Sequence, residues 1–269
     1  MGDRRIIILM TATIAPNGCP GAMFEPEERK RQYLKAFGFY VDKLLGNCAA
    51  DGLIFCDNSD VPLDSFKVPE EVKGKVELVQ VESRFFCPQK GKGYNEALLI
   101  NKALQKSKII DCSDDPLIVK VTGRYSILNI SRFIRYFRTH FEKINLHVDI
   151  KDHHLYSRLG LNWNEHYSDT RLLAFKLSFY KSYLMGREDE INDVLGFPLE
   201  AFFYKVYTEH IHDLSMSFRH PQDLLIRGRN GHPRRFLSVK IPDNLEEVCG
   251  RCRWLLGSFI RIIVPWFWF

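Results

Sequence analysis

QKGKGYNEALLINKAL (Gln89–Leu104), followed by LIVKVTGRYSILN (Leu117–Asn129), is the stretch that decides how this chain is read. The first segment sets a Gly/Lys-rich turn ahead of an amphipathic helix, expected over Tyr94–Lys106 with Leu98, Ile100, Ala103 and Leu104 available to pack. The second opens with a short apolar run, Leu117–Val121, which fits a buried strand. It ends in another turn, Thr122-Gly123-Arg124-Tyr125. Each turn joins glycine to a cation, so backbone N–H groups and a positive charge can approach one anion together. A diphosphate meets that description.

Outward from this pair the same alternation recurs. Ile6–Met10 reads as a first buried strand, and the Gly/Pro-rich loop APNGCPGAMFEP follows soon after. Pro26 opens a helix that carries Tyr33, Phe37, Tyr40, Val41 and Leu44 at helical spacing. Leu53–Cys56 is a second strand, stopped by Asp57-Asn58-Ser59-Asp60, and Val76–Val81 is a third. After Leu117–Val121, a helix over Ile130–Phe141 displays Ile130, Phe133, Ile134, Phe137 and Phe141. This β-α-β-β-α-β-α order implies an α/β fold with a mostly parallel sheet covered by helices on both faces. Ligands of such sheets lie beyond the carboxyl ends of the strands, where Thr11–Thr13, Asp57-Asn58 and Thr122–Tyr125 all fall. In the second half, strands are expected at Asn145–Ile150 and Thr170–Phe175, and helices at Leu177–Met185 and Pro198–Asp213. With no linker, repeat or low-complexity tract, one domain is expected over residues 1–245, with a tail over 246–269.

The bulk numbers exclude little else. A hydrophobic share of 45% with 26% charged residues, over 269 residues, rules out disorder as the main state. A net charge of +5 is too weak a bias to argue for nucleic acid. The opening MGDRRIIILMTAT holds too short an apolar run for a signal peptide, which points to a cytoplasmic protein. The seven cysteines are scattered and odd in number, so reduced thiols are expected. The pair Cys249 and Cys252 lacks the partners a four-ligand zinc site needs. In the tail, CGRCRWLLGSFIRIIVPWFWF, Arg261 and Pro265 interrupt the run of about 20 apolar residues that a spanning helix requires. Arginine beside Trp and Phe fits an amphipathic segment in the headgroup region; the competing reading is a helix packed on the core.

The cations Lys90, Lys92, Lys120 and Arg124 are expected on one sheet edge. Lys120 sits between Val119 and Val121, where a lysine must snorkel or find an anion. Arg124 can grip phosphate oxygens in bidentate fashion, or form a structural salt bridge. Asp57-Asn58 can accept from a base or a ribose hydroxyl, or can form an Asx turn. The run RGRNGHPRR (residues 227–235) is a solvated loop or a closing lid. Neither the Walker spacing nor GxGxxG is present, which argues against P-loop enzymes and Rossmann dehydrogenases.

Four motifs together, TATIAP, FCDNSD, GKGYNEALLINKAL and VKVTGRYSI, resemble bacterial glycosyltransferases of the GT-A fold. The resemblance is to those that build lipopolysaccharide O-antigens and capsules. It covers roughly residues 5–130 and continues more loosely through SDTRLLAFKLSFYKSYL and LEAFFYKVYTEH. It implies a three-layer α/β/α sandwich, with a nucleotide-sugar donor on residues 1–130 and the acceptor on residues 131–245. It also implies that Thr11, Ala12, Thr13, Asp57 and Asn58 hold the nucleoside, with Lys92, Gly93 and Asn95 nearby. Lys120, Thr122, Gly123 and Arg124 would then face the diphosphate. Many GT-A enzymes carry Asp-x-Asp after the fourth strand to hold a divalent cation, whereas this chain has Thr122-Gly123-Arg124. The expectation is therefore a metal-independent enzyme needing no cofactor, in which Lys120 and Arg124 offset the leaving group's charge.

An inverting transfer needs a carboxylate that deprotonates the acceptor hydroxyl. Asp169 ranks first, with an Arg171 ion pair as its competing reading. Glu209 ranks second, beside His210, His212 and Asp213. Glu200, in the first turn of a helix, comes behind both because the helix dipole alone explains an acid there. The sequence thus predicts a transferase moving a hexose from a UDP-sugar to a bacterial surface glycan or polyprenyl-linked acceptor. It would be peripheral on the cytoplasmic face of the inner membrane through its tail. The alternatives are a sugar nucleotidyltransferase, whose cationic loop after the first strand TATIAPNGCPG lacks, and a non-catalytic glycan- or membrane-binding protein.

Overall fold

The computed structural model describes residues 4–16, 25–46, 50–110, 114–151, 166–210, 212 and 215–228, together with positions 252, 256 and 259. The first strand, β1 (Ile6–Ala12), shows how the layers arise. All seven of its residues are buried. Because successive side chains point to opposite faces, Ile6, Ile8 and Met10 enter one apolar cluster while Ile7 and Leu9 enter the other. Helices α1 (Pro26–Tyr40) and α3 (Ile130–Thr139) cover the first face through Tyr33, Phe37, Phe133 and Phe137. Helices α2 (Gly91–Lys106), α4 (Leu177–Tyr183) and α5 (Leu199–His210) cover the second through Leu99, Ile100, Tyr180, Phe202 and Phe203. The result is the expected three-layer α/β/α sandwich.

Among the described residues the central sheet has seven strands. With β2 (Gly52–Asp57), β3 (Val76–Gln80), β4 (Leu117–Thr122), β6 (Leu146–Lys151), β7 (Tyr167–Lys176) and β8 (Met216–Ser217), its order is β3-β2-β1-β4-β7-β6-β8. The β3, β2, β1 and β4 strands run parallel, β7 is antiparallel to both its neighbours, and β8 runs parallel to β6. A two-stranded ribbon of β5 (Ser126–Ile127) and β9 (Ile226–Arg227) stands beside the fourth strand's carboxyl end.

Three local expectations are corrected. Helix α2 starts at Gly91, so Gly91-Lys92-Gly93 is its first turn rather than a loop ahead of it. Strand β7 starts at Tyr167, which places Asp169 inside the strand. Helix α3 stops at Thr139, and Phe141 packs from a following 3₁₀ turn. Of the tail only Cys252, Leu256 and Phe259 are described, and all three are exposed. The rest of residues 246–269, and positions 229–235 of the basic run, lie outside the described residues. No helix among the described residues is long and apolar enough to cross a membrane.

One packing feature has a measurable pH signature. His147 on β6 is fully buried, with Nδ1 2.8 Å from Ser217 Oγ and Nε2 2.9 Å from His220 Nδ1. Burial, and then the neighbouring His220, pushes its pKa well below the ordinary histidine value. The unfolded chain takes up a proton here below about pH 6.5 and the fold does not, so stability is lost as pH falls through that value. Urea denaturation should show little change between pH 7.5 and 6.5, then a loss of about 1 kcal/mol by pH 5.5. A flat profile down to pH 5.5 would mean that the fold accepts a charged His147.

Candidate active site

The carboxyl ends of β1, β2 and β4 lie side by side, with Thr11 in register with Thr122 and Ala12 with Asp57. Gly123 turns the chain across β1: its N–H donates to the Thr11 carbonyl at 3.0 Å, and a Cβ there would stand 2.6 Å from the same oxygen. Only glycine allows that approach. It lets Arg124 follow directly at the edge, its guanidinium 5.6 Å from the Tyr125 ring centroid.

Asp57 takes the Asx-turn reading given as its alternative, its Oδ1 accepting from the N–H two residues on. It is fully buried and accepts hydrogen bonds from Ile14 N (2.8 Å), Ser59 N (2.9 Å), Ser59 Oγ (2.6 Å) and Gln80 Nε2 (3.1 Å). Burial raises its pKa, against the pull of those donors. Its position makes it a clamp that shapes the loops rather than a group presented to a ligand. Thr13 donates from Oγ1 to Asn58 Oδ1 at 2.8 Å, and its N–H donates to the Tyr33 hydroxyl at 3.0 Å. Its carbonyl accepts from Arg29 Nε at 2.8 Å and Nη2 at 2.5 Å. Burial raises the Tyr33 pKa, while the Arg29 and Arg124 charges act to lower it, which places both cations beside this loop.

Lys120 has found its anion inside the protein. Its side chain is fully buried, with Nζ 2.6 Å from Glu96 Oε1 and 2.7 Å from the Thr170 carbonyl. The same Glu96 oxygen accepts from Thr11 Oγ1 at 2.6 Å. Strands β1, β4 and β7 and helix α2 are therefore tied together at one point. Glu200 completes the group from the first turn of α5. Its Oε1 accepts from Thr170 Oγ1 at 3.3 Å, its carbonyl accepts from Ser168 Oγ at 2.6 Å, and the Tyr167 hydroxyl bonds its side chain. Burial raises the Glu200 pKa, and the Glu96 and Asp193 carboxylates add to the rise while Lys120 opposes it.

The two carboxylates ranked first in the sequence are placed differently. Asp169 is almost fully buried and accepts from Arg171 Nε at 2.8 and 3.0 Å, from Arg171 Nη2, and from the Arg171 N–H at 3.1 Å. The geometry here is the ion pair given as its competing reading. Glu209 lies in the last turn of α5, 3.1 Å from Arg187 and 3.6 Å from Lys205. Nine residues of helix put it about 13 Å from Glu200 along the axis.

The remaining predicted cations and polar groups gather around the start of α2. Lys90 pairs with Asp189 at 2.5 Å over the Tyr94 ring, while Lys92 lies exposed on the first turn of α2. Gly93 donates its N–H to Asp193 Oδ2 at 2.7 Å. Asn95 bonds Cys87 N and O, both at 2.7 Å, and Gly91 O at 2.6 Å, which fixes the entry to α2. Among the described residues no three of His, Cys, Asp or Glu converge as metal donors.

Glu96 is the residue the sequence reading missed. A signal for it exists: it precedes Leu99 by three positions and Ile100 by four, so it shares their buried helical face. A carboxylate there and a lysine in a buried strand of the same unit form a matching pair.

No protein family matches the chain by sequence, and no curated protein does. Among solved structures it is similar to the galactosyltransferase LgtC in complex with donor and acceptor sugar analogs, at 11% identity, covering 79% of this chain and 72% of that one, with a TM-score of 0.46. It is similar to a putative nucleotide-diphospho-sugar transferase from Desulfovibrio desulfuricans G20, at 14% identity, 79% and 78% coverage and a TM-score of 0.42. It is also similar to glucosyl-3-phosphoglycerate synthase from Mycobacterium tuberculosis in complex with Mn2+ and uridine diphosphate, at 14% identity, 96% and 79% coverage and a TM-score of 0.40.

Proposed function

We propose that this chain is a glycosyltransferase, moving a hexose from a nucleotide-sugar, a UDP-sugar first among them, to a bacterial surface glycan or lipid-linked saccharide. The observation that supports it most is the setting of Glu200: a desolvated carboxyl at the carboxyl edge of the sheet, beside Thr11, Glu96, Lys120 and Thr170. A carboxyl pushed up towards working pH is a better general base than an ordinary glutamate. In this reading Glu200 takes the proton of the acceptor hydroxyl as that oxygen attacks the sugar's anomeric carbon and the nucleoside diphosphate departs. Thr11, Ala12, Thr13 and Asn58 line the nucleoside side, with Asp57 shaping the loop from behind. Thr122 and Gly123 bring the backbone close, and Arg124 supplies charge to the leaving diphosphate. Lys120 acts indirectly, by fixing Glu96. Asp169, held by Arg171, shapes the acceptor side.

The donor set after β4, Thr122-Gly123-Arg124, and a Glu96 oxygen already bonded to Lys120 and Thr11, do not suit a divalent ion. The proposal therefore includes transfer without a metal. Exposed Leu256 and Phe259 in the tail are consistent with a protein resting on the cytoplasmic face of the inner membrane.

Thermal denaturation with UDP, GDP, CMP and dTDP, each with EDTA or Mn2+, tests the donor half. UDP is expected to raise Tm by several degrees, undiminished in EDTA. Stabilisation only with Mn2+ would overturn the metal-free reading. Silence with every nucleotide would overturn the transferase reading.

A further inference from the structure

The motif Gly91-Lys92-Gly93 is left over by this reaction. Its shape is that of an anion cradle at a helix N-terminus, and an internal anion fills it. Gly91 takes a φ of +88°, open to glycine at little cost, and the Gly93 N–H donates to Asp193 Oδ2 at 2.7 Å. A Cβ on Gly93 would lie 2.7 Å from Asp193 Oδ1 and 2.8 Å from Leu199 N. The two glycines thus make room for one carboxylate and for the start of α5.

Asp193 is held just as firmly from its own side. Its N–H donates to the Lys90 carbonyl at 3.0 Å. Around it, Asn192 and Phe197 exchange backbone hydrogen bonds of 2.8 and 2.9 Å, and Asn192 Oδ1 accepts the N–H groups of Val194 and Leu195, each at 3.1 Å. This hairpin runs straight into Leu199 and Glu200. The first turns of α2 and α5 therefore meet at Asp193, and the charge of Asp193 reaches Glu200.

We infer that Asp193 is a positioning residue for Glu200: bound at the N-terminus of α2, its carboxylate locks the first turn of α5 so that the Glu200 carboxyl faces the sheet edge. The inference rests on Glu200 as the base. Among the described residues, the charged and titratable groups facing Glu200 are Glu96 from α2, Lys120 from β4, Tyr167 from β7 and Asp193 itself.

Asp193→Asn, Asp193→Ala and Gly93→Ala in the full chain test it. Asp193→Asn keeps an oxygen for the Gly93 N–H and drops the charge; Asp193→Ala removes both; Gly93→Ala pushes the carboxylate out of its seat. The first readout is the side-chain carboxyl resonance of Glu200, titrated by NMR with or without turnover. The second is the pH–rate profile with kcat and KM separated. In all three variants the Glu200 midpoint is expected to fall towards the ordinary glutamate value, and the acid limb of the rate profile to move to lower pH with it. In Asp193→Ala kcat should drop by about tenfold while the donor KM stays within about twofold. Asp193→Asn should recover part of that loss. An unmoved Glu200 midpoint in Asp193→Ala and Gly93→Ala would overturn the inference, even if both lost stability. A midpoint that moves in a protein that turns over no nucleotide-sugar would uphold the coupling and sink the transferase reading instead.

Discussion

Glu200→Gln is expected to lower kcat by about 10²- to 10⁴-fold, the range a general base contributes, while leaving nucleotide binding intact. Glutamine preserves the shape and the acceptor oxygen that Thr170 Oγ1 bonds at 3.3 Å, and it removes only the ability to take a proton. The thermal behaviour of the same variant separates chemistry from structure. The Glu200 pKa is raised in the fold, by burial first and then by neighbouring carboxylates. A raised acid pKa means that the ionised form is disfavoured on folding, so at pH 7 to 8 the charge lowers stability and the amide relieves it. The variant should therefore melt at the same temperature as the parent or above it. Steady-state turnover of a UDP-sugar, UDP-induced stabilisation and Tm check the three statements together. A variant that keeps full turnover would return the search for a base to Asp169 and Glu209.

The largest expected effect on stability belongs to Glu96→Gln. Lys120 is fully buried, and among the described residues the carboxylate paired with its ammonium is Glu96, at 2.6 Å. Breaking a buried pair by neutralising one partner leaves an uncompensated charge, at a cost of about 3–5 kcal/mol. Glu96 itself is a quarter exposed, so some water reaches the pair and the lower end of that range applies. For a chain of this size about 3 kcal/mol corresponds to a fall in Tm of about 6–12 °C. Lys120→Met should cost less, because the stranded Glu96 can turn towards solvent. In the double variant, with the Lys120–Glu96 pair gone from both sides, much of the loss should return. Urea denaturation of the four proteins measures the coupling directly. Equal losses in the two single variants, adding in the double, would show that the pair is screened as a surface bridge is.

Both predictions depend on residues that local sequence signals ranked poorly, and the reason is physical. Strand and helix identity came through because periodicity is local: the run Ile6–Met10 fills both apolar clusters as a doubly covered strand must, and Phe133 and Phe137 face the core at helical spacing. The gathering of Thr11, Asp57 and Thr122 at one edge came through as well, since the carboxyl ends of parallel strands converge by topology. Partner choice is not local. Asp57 looks the same in sequence whether it is presented to a ligand or accepts four internal donors. Asp169 and Arg171, two positions apart in β7, already offered the ion pair, and the structure closes it.

What the sequence by itself determined is the α/β class, the layering and the edge where Thr11, Asp57 and Thr122–Arg124 gather, because burial and backbone geometry act over a few residues at a time. Only the tertiary structure decided which charge meets which: Lys120 with Glu96, Asp193 with the N-terminus of α2, Glu200 with the sheet edge and Glu209 with the outer surface. Each of those pairings joins groups far apart in the chain, and Coulomb and hydrogen-bond energies depend on distances of a few ångströms, which only the packed sheet and helices set.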